Sequence, residues 1–89
     1  MGNAVKIGDI GTGHGNCSAT PVIAGASTVK VDGAYLARQG DALASHCSHS
    51  RAIAGGSGSV FVEGKPAIRT GDAVDCGGVV IGGGSVNIG

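Results

Sequence analysis

Three histidines and three cysteines are the side chains of this sequence best suited to chemistry, and they fall into three groups at matching places. The first is Gly13-His14-Gly15-Asn16-Cys17, the second His46-Cys47-Ser48-His49, and the third Asp75-Cys76-Gly77-Gly78. Each follows a Gly-Asp step, at Gly8-Asp9, Gly40-Asp41 and Gly71-Asp72. Imidazole nitrogen and thiolate sulfur are the donors zinc prefers, usually four of them in a tetrahedron. His14 sits between glycines whose backbone can turn it inward, and the HxxH spacing lets His46 and His49 ligate from one tight loop. The third loop then supplies Cys76. The expected site is one zinc ion on His14, His46, His49 and Cys76, with iron the alternative metal on the same donors. A quartet that uses Cys17 or Cys47 stays open. Four protein ligands leave no position for water or substrate, which marks a structural ion rather than a catalytic one. The nucleophilic reading, Cys47 activated by His46 or His49, is weaker. Neighbours in a strand face opposite ways, and no oxyanion-hole signature accompanies them.

What must position these loops is a repeat. Gly25 to Asp41 (GASTVKVDGAYLARQGD) matches Gly56 to Asp72 (GSGSVFVEGKPAIRTGD). Lys6-Ile7-Gly8-Asp9 repeats the end of the unit, and Gly84 to Gly89 repeats its beginning. Self-similarity at this period means one supersecondary unit used several times. Offset half-copies at the two ends predict three units related by pseudo-symmetry, with the chain closing on itself. Val29 to Val31 and Val60 to Val62 read as strands, Val79 to Ile81 and Val86 to Ile88 as a further pair. Asp32-Gly33 and Glu63-Gly64 read as tight turns with positive φ. A helix over Ala34 to His46 is opposed by Gly40 and by Pro66 in the matching copy. The thrice-used [Lys/Arg]-x-Gly-Asp could ring a cation with acids. The simpler reading has each Asp accepting hydrogen bonds from nearby backbone amides.

A metal also answers a deficit. The chain is one small domain (residues 1–89) with one Phe, one Tyr, no Trp and 19 glycines. So few large side chains and so much backbone entropy call for a staple. An odd number of cysteines argues against a closed disulfide framework. With no charged segment and apolar run at the N-terminus, the sequence reads as made in a reducing cytoplasm, with Cys17 and Cys47 as unpaired thiols. Six Lys/Arg balance six Asp/Glu with no basic cluster, so nucleic acid is not the expected partner. Gly11 to Asn16 lacks the third glycine of GxGxxG, and Gly58 to Lys65 does not fit a Walker loop.

Together the repeats, the His/Cys placement and Pro66-Ala67-Ile68-Arg69 resemble the PAAR-repeat proteins, which cap the spikes of type VI secretion systems and contractile phage tails. Tyr35-Leu36-Ala37-Arg38 is a looser copy of the naming motif. The resemblance implies an all-β fold, a small cone of β-hairpins with pseudo-threefold repeats, closed by one zinc on three histidines and a cysteine. It implies a non-enzymatic function: one monomer caps and sharpens a trimeric, β-helical, VgrG-like spike that pierces a target envelope, touching its membrane transiently. The protein would be carried outward on that spike. The alternatives are a small zinc-dependent enzyme and a free-standing binding module.

Overall fold

A computed structural model describes residues 2–83 and 85–88. Among these residues there are eleven short strands: β1 (Gly2–Asn3), β2 (Ile10–Gly11), β3 (Thr20–Pro21), β4 (Lys30–Val31), β5 (Ala34–Tyr35), β6 (Ala42–His46), β7 (His49–Ala52), β8 (Phe61–Val62), β9 (Lys65–Pro66), β10 (Val80–Ile81) and β11 (Asn87–Ile88). Among the described residues there is no helix, so Ala34 to His46 is extended and looped as its Gly40 predicts. The body measures 32 × 22 × 21 Å.

Local chemistry sets the hairpins. β4 pairs with β5 across Asp32-Gly33, and β8 with β9 across Glu63-Gly64. Both central residues of each turn have positive φ (51° and 84°, 54° and 81°). Such turns match the right-handed twist of the strands they join. β6 and β7 form the longest hairpin, with His46 opposite His49. Its two turn residues, Cys47 and Ser48, also have positive φ (47° and 62°) although neither is glycine.

One expected pairing is corrected. Val80–Ile81 and Asn87–Ile88 do not pair with each other: β10 joins β2 in a three-stranded sheet with β3, and β11 joins β1. Strands this short find more backbone partners across the fold than a hairpin would give them. The last strand therefore pairs with the first, Gly2 opposite Ile88.

Three [Lys/Arg]-x-Gly-Asp turns share one set of bonds. The Asp amide donates to the carbonyl of the basic residue, at 3.0 Å in each. One carboxylate oxygen accepts that residue's amide (3.0, 2.7 and 2.7 Å for Asp9, Asp41 and Asp72), and the other meets its side chain at 2.9, 2.9 and 3.0 Å. Each carboxylate thus fastens its own turn, and the simpler reading of the motif holds.

At the centre the Val5 amide donates to the Ile68 carbonyl (3.1 Å), Ile68 to Ala37 (3.3 Å) and Ala37 back to Val5 (2.8 Å), a closed ring of three backbone bonds. Ala37, Val5 and Ile68 are fully buried in a core with Val22, Leu43, Ile53, Val74 and Val80, against which Cys76 packs. A second core holds Ala4, Ala26, Val31, Leu36, Val62, Ala67 and Ile88. Side chains of this size cannot fill one large interior, so the buried residues fall into two separate clusters of aliphatic side chains.

Candidate metal centre

The three histidines arrive from two tight hairpins. In the first, His14 and Cys17 face each other across Gly15-Asn16, the His14 amide donating to the Cys17 carbonyl (3.1 Å) and Cys17 to His14 (2.8 Å). In the second, His46 and His49 flank the Cys47-Ser48 turn, which puts both imidazoles on one side. The ring centroids of His46 and His49 lie 4.6 Å apart, those of His14 and His46 4.8 Å, and those of His14 and His49 5.6 Å.

His46 is the best defined of the three. Its Nδ1 lies 2.5 Å from the Ser18 carbonyl oxygen, which can only accept, so Nδ1 carries the proton. That leaves the Nε2 lone pair facing inward, the arrangement metal-ligating histidines adopt. His46 Nε2 is 3.1 Å from His14 Nε2 and 3.7 Å from Cys76 Sγ. Zinc bonds of about 2.0–2.1 Å to nitrogen and about 2.3 Å to sulfur set tetrahedral edges of about 3.3 Å between nitrogens and about 3.6 Å between nitrogen and sulfur. The observed spacings match those edges. Partial burial first, and then the His46 and His49 rings and the Arg51 guanidinium, hold the His14 imidazole below the usual histidine range. His14 is thus biased toward the neutral form a metal requires.

Cys17 belongs to the same cluster: its Sγ and the ligand atoms of His14, His46 and His49 all lie within 4.8 Å of one another. Yet Cys17 is bonded to Cys47, with Cα atoms 5.5 Å apart, and Cys76 is the free thiol. The expectation that Cys17 and Cys47 are unpaired thiols is therefore corrected. Counting three cysteines hides a pair when the third stays free. The disulfide ties the His14 turn to the His46–His49 turn. Its sulfurs hold no thiolate charge to offer a cation, whereas Cys76 can supply one. The three imidazoles gather as a donor set suited to one metal ion, and Cys76 meets that set at His46 Nε2.

One residue in the site has no counterpart in the sequence reading. Arg51 is 1% exposed, and among the described residues its hydrogen-bond acceptors are neutral oxygens. Nη1 donates to the Gly11 carbonyl (3.2 Å) and Thr20 Oγ1 (2.9 Å), and Nη2 to the carbonyls of Thr12 (2.5 Å) and Gly77 (3.2 Å). Thr12 leads into the His14 turn and Gly77 follows Cys76, so one guanidinium braces loops from two of the three ligand groups. Strand alternation was the available signal, because residue 51 lies two positions from His49 and shares its face. Gly77 completes the packing. With φ of 115° it lies against the His14 ring, where a Cβ would stand 3.2 Å from Cδ2.

A family model described as the PAAR motif matches residues 12–82, which takes in all six histidine and cysteine positions. No curated protein matches the chain.

Proposed function

The chain belongs to the PAAR-motif family, and from that premise we propose that it is the tip of a piercing spike, closed by one structural zinc ion. The family indicates a spike-tip-like structural protein of the type VI secretion and contractile-tail kind, rather than an enzyme. In this reading one copy sits on a trimeric, VgrG-like, β-helical spike, sharpens it and travels outward with it, meeting the target membrane only in passing. The metal ligands are His14, His46, His49 and Cys76.

One observation supports the reading: donors from three separate loops meet at His46 Nε2, 3.1 Å from His14 Nε2 and 3.7 Å from Cys76 Sγ, close to two edges of a zinc tetrahedron. A pseudo-threefold body suits a threefold partner. The Lys6–Asp9, Arg38–Asp41 and Arg69–Asp72 turns, the Val5–Ala37–Ile68 ring and two nearly equal short dimensions of 22 and 21 Å support that arrangement. Val29, Val60 and Val86 occupy the same place in the repeat, and each carbonyl accepts one backbone bond, from Leu36, Ala67 and Ala4. All three valines are exposed, offering repeated apolar contacts to such a partner.

The test mixes the zinc-loaded protein with a trimeric β-helical spike protein. One chain per trimer, with about one zinc per chain, is the expected result. Failure to cap a trimer while zinc is bound favours the free-standing module, and water as a fourth ligand favours the enzyme.

A further inference from the structure

Two sulfurs reach the histidine cluster, Cys17 beside all three rings and Cys76 at His46, and of these two only Cys76 is free. Cys76 Sγ is 3.7 Å from His46 Nε2, while Cys17 Sγ lies within 4.8 Å of the histidine ligand atoms and is held by Cys47. We propose that the Cys17–Cys47 disulfide is a ligand switch: reduction makes Cys17 a second metal ligand on His14, His46 and His49, competing with Cys76, and oxidation withdraws it. The inference rests on the three-histidine metal site proposed above.

The chemistry is self-contained. A dithiol reductant gives two electrons to the Sγ–Sγ bond and closes to its own disulfide. The two cysteines take up two protons and become thiols. Cys17 then ligates as a thiolate, its proton passing to solvent. Its sulfur already lies within 4.8 Å of the histidine ligand atoms, so reaching the nitrogen–sulfur edge of about 3.6 Å takes at most a small inward shift. The tether that fixes it is the bond that reduction breaks. Cys47 has no such role, because its side chain is exposed and it lies outside the cluster. The site therefore has two candidate sulfurs in a reducing compartment and one in an oxidising one.

Cobalt substitution reads this directly, because a cobalt–thiolate bond gives a near-ultraviolet charge-transfer band. In Cys76→Ser the oxidised protein should lack the band, and added dithiol should restore it at one metal per chain. Cys17→Ser/Cys76→Ser should show no band in either state. A reduced Cys76→Ser protein that binds cobalt without the band, or an oxidised one that shows it, overturns the switch. Wild type without the band in both states overturns the metal-site reading itself, and the switch with it. Alkylation of reduced wild type gives a second test independent of how the variant folds. Zinc should slow labelling of Cys17 several-fold and leave Cys47 unchanged. Equal labelling rates of Cys17 with and without zinc contradict the proposal.

Discussion

Replacing Arg51 with Met tests whether a buried cation braces the metal loops. The guanidinium makes four hydrogen bonds to oxygens of Gly11, Thr12, Thr20 and Gly77. Bonds from a charged donor contribute about 1.5–3 kcal/mol each, so the gross loss is about 6–12 kcal/mol. Methionine fills similar volume and recovers several kcal/mol of desolvation, part of it from Nε, which is buried without a protein partner. A net destabilisation of about 3–5 kcal/mol remains, because three carbonyls lose their donor. For a chain this size that lowers Tm by about 15–30 °C. Urea unfolding of metal-free, oxidised protein, followed by far-UV circular dichroism, separates this term from metal binding. Zinc affinity should fall as well, since Thr12 and Gly77 flank the His14 and Cys76 positions. Arg51→Lys keeps the charge but loses the fork, and should recover part of both losses. An Arg51→Met protein within about 1 kcal/mol of wild type would falsify the bracing role.

Chelation of zinc should lower Tm markedly under oxidising and reducing conditions alike, and an unchanged melting temperature excludes a structural ion. Cys47→Ser, which opens the link across 30 residues, should cost about 3–4 kcal/mol in oxidised protein by loop entropy, measured in urea, and nearly nothing in reduced protein. Gly13→Ala should reduce bound zinc per chain, because a Cβ there collides with the Cys17 carbonyl and spreads the turn that carries His14. In metal-free protein the lowered His14 pKa means the unfolded chain takes up a proton first. The stability it contributes is full above 6.5 and is lost as pH falls from 6.5 through the folded value. His14→Gln should flatten that part of the stability–pH curve. Val60→Asp should weaken capping of a trimeric spike without changing zinc content, and unaltered capping removes Val60 from the contact.

The repeat was the legible part of the sequence, because glycine turns and β-branched residues are local signals that survive any tertiary context. Asp32-Gly33 and Glu63-Gly64 turn as expected, and Asp9, Asp41 and Asp72 bind their own turns. The gathering of His14, His46 and His49 was legible too, since HxxH across a two-residue turn leaves the imidazoles little choice of side. The partner of β10 was not. Adjacency in sequence suggested a hairpin with residues 86–88, but short strands pair wherever the closing body brings a free edge, and β2 supplied it. Cys17 and Cys47 were missed because an odd count says nothing against one pair with the third cysteine left free. Arg51 was missed because burying a guanidinium among carbonyls leaves no compositional mark, although its alternation with His49 placed it on the right face.

The ring of Val5, Ala37 and Ile68 has a kinetic meaning as well as a structural one. Its three bonds join segments drawn from across the sequence, and none of the three residues can satisfy its neighbours until all have arrived. The pairing of β1 with β11 imposes the same condition on the outermost strands. Contacts so distant in sequence make folding slow, since loop closure comes before the contacts that stabilise it. The same closure makes unfolding cooperative: releasing one segment breaks two of the three ring bonds at once. A body built this way gives little by halves, since its three segments come apart together when the ring opens.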